Sequence, residues 1–178
     1  MERLFRFIYD FKYILLNCFV RHIPSWYIRK IFYVFMGMKI GKKSRIGINT
    51  IVVEPKNIVI GERSIINENC YLDGRGGLKI GNNASISFET TIITATHDTG
   101  DTFKCITEST IIKNNVWIGN NVIILNGSVI ENLCVIGAGC VFKGTTEEKG
   151  IYVGNPARKI KSRECLGEYK INYKPFFR

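Results

Sequence analysis

The chain has 178 residues, of which 46% are hydrophobic and 22% charged, so its composition is that of a globular protein and excludes a disordered one. Its net charge of +10 predicts an anionic partner, such as nucleic acid, anionic lipid or a phosphorylated ligand, without choosing among them. None of the six cysteines has the spacing of a zinc-ligand pair, which excludes the common zinc-binding modules and favours reduced thiols in the cytoplasm.

Residues 1–38 form a basic, amphipathic segment that predicts two helices. Pro24 and Ser25 mark a break between them and a helix N-cap. The apolar runs are too short to span a membrane, and no signal-peptide cleavage pattern follows them. Two interpretations stay open, a peripheral contact with an anionic membrane and a cap on the domain that follows. The apolar residues at helical spacing include Phe5, Ile8, Phe11, Leu15, Phe19, Trp26, Ile31 and Phe35.

From residue 39 to about residue 161, an apolar side chain recurs at a six-residue interval, with two extra residues between Ile46 and Ile60, two between Leu72 and Ile80, and a longer break after Ile92. A period of six fits neither a helix nor a simple strand alternation, and it predicts a parallel β-helix, an all-β solenoid in which each hexad is one short strand and one corner. The apolar residues that open the hexads include Ile40, Ile46, Ile60, Ile66, Leu72, Ile80, Ile86, Ile92, Ile112, Ile118, Ile124, Ile130, Ile136 and Phe142.

A small residue follows four positions after each opening residue. We expect it to point inward, where the narrow core excludes a large side chain. Cys70, Cys134 and Cys140 occupy this position. They are therefore predicted to be core residues and not nucleophiles, because a buried cysteine packs as a small hydrophobe.

The rhythm breaks within "TTIITATHDTGDTFKC", where the interval from Ile92 to Ile112 spans 20 residues. If the hexad of Ile92 is completed, Thr96 occupies its inward position and His97 lies at a corner. Residues 98–111 then form a loop ejected from the coil, and a loop of this length in a compact repeat is usually functional. Residues 162–178 are predicted to be a basic tail.

The motifs "IGNNASISFETTIITATHD", "IIKNNVWIGNNVIILNGSVIENLCVIGAG" and "YVGNPARKIK" resemble the hexapeptide-repeat acyltransferases. The most similar branch contains the maltose and galactoside O-acetyltransferases and their polysaccharide-modifying relatives. The resemblance covers residues 40–161. It implies a left-handed coil, a homotrimer with active sites at subunit interfaces, acetyl-CoA as acyl donor and no metal.

The same resemblance implies roles for individual residues. His97 would be the general base that removes a proton from the acceptor, as a neutral imidazole can near pH 7. Asn67 would contact the acceptor, and the backbone N–H of Asn120 would stabilise the oxyanion. The residues expected to bind CoA are Trp117, Gly119, Ala138, Lys143, Gly154, Pro156, Arg158 and Lys161. For the lysines and arginine, a solvated surface charge is an equal alternative.

The acceptor is expected to be a sugar or glycan hydroxyl in surface polysaccharide biosynthesis, in the cytoplasm or at the inner face of the membrane. The galactoside enzymes carry an acidic acceptor-binding residue where this chain has "GRGG" around Arg75, which leaves the acceptor open. Two alternatives remain, an N-acetyltransferase of a nucleotide-linked amino sugar and a non-enzymatic basic trimer. We expect no nucleic-acid partner. Hexapeptide carbonic anhydrases need three histidine ligands, and the chain has two histidines.

Overall fold

The computed structural model describes residues 2–100, 102–164 and 169–172. The predicted tail, residues 162–178, therefore falls largely outside the described residues. No helix in the described part of the chain is long and apolar enough to cross a membrane.

The N-terminal segment consists of two helices joined by a π-helical turn and a 3-10 turn. Helix α1 (Glu2–Ile14) continues into a π-helical turn (Leu15–Phe19) and a 3-10 turn (Val20–His22), and α2 (Trp26–Phe35) begins directly after Ser25. The break at Pro24 and Ser25 therefore lies where the sequence predicted it.

Nineteen short strands follow the helices within the described residues. They are β1 (Lys39–Ile40), β2 (Arg45–Ile46), β3 (Ile51–Val53), β4 (Ile58–Ile60), β5 (Ile65–Ile66), β6 (Tyr71–Asp73), β7 (Leu78–Ile80), β8 (Ser85–Ile86), β9 (Thr91–Ile92), β10 (Ala95–His97), β11 (Cys105–Thr107), β12 (Thr110–Ile112), β13 (Trp117–Ile118), β14 (Ile123–Ile124), β15 (Val129–Ile130), β16 (Val135–Ile136), β17 (Val141–Phe142), β18 (Gly150–Gly154) and β19 (Ala157–Ser162). A 3-10 turn (Pro55–Asn57) separates β3 from β4.

The strands form three parallel faces of a solenoid. The first face contains β1, β4, β7, β12 and β15, the second β2, β5, β8, β13, β16 and β18, and the third β3, β6, β9, β14 and β17. We call the bends between them the first corner (first to second face), the second corner (second to third) and the third corner (third back to first). The predicted parallel β-helix is confirmed, and its left-handedness stays a prediction.

The core explains the six-residue period. The opening residues of the hexads point inward, and Ile46, Ile86, Ile118 and Ile136 are fully buried. The small residue two positions before each of them is buried as well. Where this residue is serine or threonine, its hydroxyl can bond to a backbone carbonyl of the next turn. Ser44 donates to Gly61, Ser64 to Gly81 and Thr90 to Gly119, with distances of 2.5, 2.6 and 3.0 Å.

The chain leaves the coil two residues earlier than the sequence predicted. Thr94 is fully buried, whereas Thr96 and His97 are exposed, so the expectation that Thr96 fills the inward position is wrong. Thr110 fills that position, and its hydroxyl lies 3.4 Å from the carbonyl oxygen of Ile93. Between them, β10 and β11 pair as an antiparallel hairpin, where a bare loop over residues 98–111 was expected.

Two buried polar side chains attach the helical segment to the first turn of the coil. The guanidinium of Arg29 is fully buried and donates to the carbonyl oxygens of Pro24 at 3.0 Å and Ile46 at 2.8 Å. The side-chain amide of Asn17 both donates to and accepts from the backbone of Val52, each at 2.9 Å. The bonds to Ile46 and Val52 satisfy backbone groups at the lower edge of the first turn, which no further coil turn covers.

The three inward cysteines are core residues, as predicted. Cys134 and Cys140 are fully buried and Cys70 is 1% exposed. Burial raises the pKa of Cys70 to about 12 and raises the pKa of Cys134 and Cys140 as well.

A raised thiol pKa in the folded state predicts a loss of stability in alkali. The unfolded chain releases the Cys70 proton near the ordinary thiol pKa of 9.0, and the folded chain holds it to about 12, so the stabilisation is complete below pH 9 and is lost as the pH rises. Over that window the Cys70 thiol should lower the unfolding free energy by about 1 kcal/mol per pH unit. Denaturant titrations at several pH values should show a shallower slope for Cys70→Ala than for wild type, whereas Cys105→Ala, at an exposed position, should leave the slope unchanged.

Candidate active site

His97 lies on the hairpin that leaves the third corner. Its Nδ1 is 3.1 Å from the carbonyl oxygen of Phe103, and the two rings stack with centroids 4.4 Å apart and 6° between their planes. Phe103 has a φ of 45°, a left-handed conformation that strains a bulky residue. This strained backbone brings the Phe103 carbonyl back to the imidazole, so the hairpin fixes both the orientation and the tautomer of His97.

Asp98 has a separate role at the tip of the hairpin. Its backbone N–H donates to the carbonyl of Lys104, and its carboxylate accepts from the N–H of Gly100 at 3.0 Å and the hydroxyl of Thr102 at 3.3 Å. The carboxylate therefore stabilises the turn, and the contact with the imidazole comes from Phe103.

The "GRGG" turn packs under the base of the hairpin. Asp73 is fully buried and forms two bonds with the guanidinium of Arg75, at 2.9 and 3.0 Å. Its carboxylate also accepts from the backbone N–H groups of Arg75 and Thr94. The charge of Arg75, at the position where the galactoside enzymes carry an acidic residue, is therefore already paired with a carboxylate.

The same turn approaches the hairpin so closely that it requires glycine. A side chain at Gly76 would overlap the carbonyl oxygen of Thr94. On the other side of the hairpin base, the carboxylate of Glu108 accepts from the side-chain amide of Asn126, which is buried. The base of the hairpin is thus held between Gly76 of the turn below and Asn126 of the turn above.

The second corner carries another group of the predicted residues. Asn67 lies two coil turns below Asn120, and Ala138 lies one turn above it. The amide of Asn67 donates to the carbonyl of Ile86 at 2.9 Å, which leaves its Oδ1 without an acceptor role toward any described residue. Gly119 is required by packing, since a side chain there would meet the backbone nitrogen of Ala138 at 2.6 Å.

The backbone N–H of Asn120 donates to no acceptor among the described residues, whereas its carbonyl accepts from Gly139. The corresponding corner residues of other turns, such as Glu68 and Phe88, have the same free N–H. The availability of this donor therefore comes from the geometry of the coil. What distinguishes position 120 is its neighbour Trp117, whose indole is 51% exposed on the second face.

The predicted CoA-binding residues fall in two places. Gly154, Pro156, Arg158 and Lys161 lie on the β18–β19 hairpin at the upper end of the second face, and all four are exposed. Lys143 directly follows β17 and so lies at the third corner, on the same edge as the His97 hairpin.

Within one chain the structure therefore separates His97 from Asn67 and Asn120, because they lie at different corners of the solenoid. The two groups lie at similar levels along the solenoid axis. The hairpin leaves between the third and fourth turns, and Asn67 and Asn120 lie in the second and fourth turns. A neighbouring coil whose second corner faces this third corner would bring the two groups together.

Sequence reasoning missed two residues that hold the site. Phe103 was overlooked because a contact between a ring and a carbonyl six positions away depends on the hairpin register. Asp73 was overlooked because it follows a regular hexad. The doubled glycines beside Arg75 were its signal, since they mark a turn that another backbone approaches closely.

Comparison with known proteins agrees with the motifs. The sequence profile of the bacterial transferase hexapeptide (six repeats) family matches residues 109–144. A hexapeptide-repeat acetyltransferase from Vibrio cholerae, solved with acetyl coenzyme A, is 26% identical over 86% of each chain, with a TM-score of 0.80. A maltose O-acetyltransferase from Clostridium difficile is 25% identical over 88% of this chain and 89% of its own, with a TM-score of 0.76.

The predicted resemblance to the hexapeptide-repeat acyltransferases is therefore confirmed. A third similar structure is the N-acyltransferase AntD from Bacillus cereus, in complex with dTDP and 3-hydroxybutyryl-CoA. It is 26% identical to this acyltransferase over 79% of this chain and 91% of its own, with a TM-score of 0.64.

The Asp73–Arg75 pair leads to a stability prediction. Burial pushes the pKa of Asp73 upward, but the bonds from Arg75 and from the backbone N–H groups outweigh burial and leave the pKa below its ordinary value. Asp73→Asn should lower the unfolding free energy by about 1–3 kcal/mol, because an NH2 group replaces one of the two oxygens and cannot accept from the donors that surround it. Arg75→Gln should also be destabilising, because it leaves the buried carboxylate without its counter-ion.

A carboxylate with a lowered folded pKa stabilises the protein above its unfolded pKa, and that stabilisation is lost as the pH falls through the folded value. Chemical denaturation should therefore show that the difference between wild type and Asp73→Asn shrinks in acid. A difference that is constant from neutral to acidic pH would contradict this account of Asp73.

Proposed function

We propose that this acyltransferase moves an acetyl group from acetyl-CoA to a hydroxyl of a sugar or glycan, with His97 as the general base. The observation that carries this proposal is the bond between His97 Nδ1 and the carbonyl oxygen of Phe103. A carbonyl oxygen only accepts, so a neutral imidazole in this bond carries its proton on Nδ1. Nε2 is then left with a free lone pair, which is the form that a general base requires.

The proposed reaction is a direct transfer. The acceptor hydroxyl gives its proton to Nε2 of His97 as its oxygen forms a bond to the thioester carbon. The negative charge that develops on the carbonyl oxygen is stabilised by the backbone N–H of Asn120. When the intermediate collapses, the carbon–sulfur bond breaks and the imidazolium returns its proton to the departing CoA thiolate.

The second corner and the β18–β19 hairpin are the proposed CoA surface. Trp117 presents an exposed indole beside Asn120, and Ala138 has no side chain long enough to block a cofactor that passes along the corner. Arg158 and Lys161 are exposed cations at the upper end of this surface and suit the phosphates of CoA. Acetyl-CoA as donor is supported by the Vibrio cholerae structure that contains it.

The separation of the two groups within one chain supports a homotrimer whose active sites lie between subunits. His97 and Lys143 would come from the third corner of one subunit. Asn67, Trp117 and Asn120 would come from the second corner of the next. A closed ring built from one repeated contact would form three such sites, as cyclic symmetry allows.

A sugar acceptor is supported by the similarity to a maltose O-acetyltransferase. Asn67 keeps a free Oδ1 at the second corner, where it is placed to accept a bond from a sugar hydroxyl. A role in surface polysaccharide biosynthesis, carried out in the cytoplasm, belongs to the same proposal. It rests on the motifs that this chain shares with the polysaccharide-modifying branch.

An amine acceptor is the second candidate, and the similarity to AntD favours it, since that protein is an N-acyltransferase solved with a nucleotide and an acyl-CoA. The two candidates are separated by one assay. Hydroxyl sugars and nucleotide-linked amino sugars are offered with acetyl-CoA, and thiol release is measured. Faster turnover of the amino sugars than of the hydroxyl sugars would contradict O-acetylation and favour N-acetylation.

Replacement of His97 by alanine should lower kcat by at least about 10²-fold, in line with the usual contribution of a general base. The other histidine of the chain provides the control. His22 lies in the N-terminal helical segment and bonds to Asn49 in the first turn of the coil. Because it lies outside the proposed site, His22→Ala should keep near-normal turnover. The measurement is thiol release at saturating acetyl-CoA. If His97→Ala turned over as fast as His22→Ala, His97 would not be the base.

Mixed oligomers test whether the site forms between subunits. His97→Ala and Asn67→Ala chains are each expected to be nearly inactive. When the two are coexpressed or refolded together, about a quarter of the intersubunit sites should contain both native residues, and activity should return accordingly. A site contained within one chain would recover nothing, because each chain lacks one of its members.

A further inference from the structure

The outer face of α2 is apolar, although it is largely exposed in the described chain. Trp26, Arg29 and Tyr33 are buried against the coil and account for the inner face. The apolar side chains of the outer face recur at helical spacing, and each of them is 46–83% exposed. It consists of Tyr27, Ile28, Ile31, Val34 and Phe35.

Helix α1 also carries exposed apolar side chains. Phe7 and Phe11 stack on each other and are 66% and 57% exposed. Beside them, α1 and the first coil turn enclose a groove of about 530 Å³, with Ile8, Tyr13 and Val52 among its lining. Lys12, Lys56 and Glu54 also line the groove, and Lys56 is paired with Glu54 at 3.2 Å, so Lys12 is the cation of this lining that forms no ion pair with a described residue.

The positive charge of the protein is concentrated at this end. Residues 1–63 contain twelve Lys or Arg and four Asp or Glu, a net +8 of the total +10. Lys39, Lys42 and Lys43 are exposed beside the helices. We call the exposed apolar side chains of α1 and α2, together with these lysines, the basal surface.

We propose that the basal surface docks this protein onto an anionic lipid bilayer. The aromatic and aliphatic side chains of both helices would enter the headgroup region, and the lysines would contact lipid phosphates. An exposed apolar patch of this extent marks an interaction site. A second copy of the chain fits the patch less well, because it would bring two ends of the same strong positive charge together, whereas anionic lipid neutralises that charge.

The inference does not depend on the acetyl-transfer proposal, and vesicle cosedimentation tests it. The full chain should bind phosphatidylcholine vesicles that contain phosphatidylglycerol at low ionic strength, and it should bind pure phosphatidylcholine vesicles far less. High salt should weaken the binding, because the lysine contacts are screened. A chain that does not sediment with the anionic vesicles at low salt would overturn the proposal.

Two variants with matched controls assign the binding to the basal surface. Lys39→Glu combined with Lys42→Glu should weaken vesicle binding at least about tenfold. Lys79→Glu combined with Lys170→Glu makes the same charge change elsewhere and should have a much smaller effect. Ile31→Ser combined with Phe35→Ser should weaken binding, whereas Ile123→Ser combined with Ile160→Ser, at exposed positions of the coil, should not.

Circular dichroism and light scattering of each variant keep the outcomes distinct. Weakened vesicle binding with unchanged fold and oligomeric state supports the proposal. If the variant at Ile31 and Phe35 lost its oligomeric state but kept its vesicle binding, the apolar face would be a contact between copies, and the membrane proposal would be wrong. Equal binding by the basal variants and their controls would also overturn it.

Discussion

Every part of this molecule depends on the hydrogen-bonded stacking of one coil turn on the next. The stacking requires an apolar residue and a small residue to alternate along the inside of each turn. The small residue does more than leave space, since Ser44, Ser64 and Thr90 each bond to a carbonyl of the following turn. A larger side chain at these positions would separate neighbouring turns and break the ladder that holds the three faces.

That constraint also determines where chemistry can occur. The inside of the coil is filled, so reactive groups must lie at corners or on segments that leave the coil. The hairpin from Ala95 to Thr107 leaves at the one long interruption of the described coil, and both of its ends are fixed by buried contacts. Its base packs on Gly76 below and on the Asn126 and Glu108 pair above. The hairpin can therefore hold His97 in one orientation although the residue itself is exposed.

The two ends of the solenoid have different surfaces. The upper end presents the β18–β19 hairpin with Arg158 and Lys161, which suits a phosphorylated cofactor. The lower end is covered by helices that satisfy the first coil turn through Arg29 and Asn17. Those helices turn further apolar side chains outward among lysines, which the needs of the coil do not explain. The positive charge of the chain is thus divided between the two ends, and the larger share lies at the lower end.

The sequence by itself determined the solenoid, its core and the identity of the histidine at the break. These follow from a period of six that every turn repeats, so the information is local and redundant. It located Asn67, Trp117 and Asn120 through motifs of the same kind, but it placed the exit from the coil two residues late. Only the tertiary structure showed that Thr110 replaces Thr96, that Phe103 fixes the tautomer of His97, and that Asp73 neutralises Arg75. Each of these is a contact between segments whose relative position depends on strand register and on the close packing of corners, and no periodic pattern encodes it.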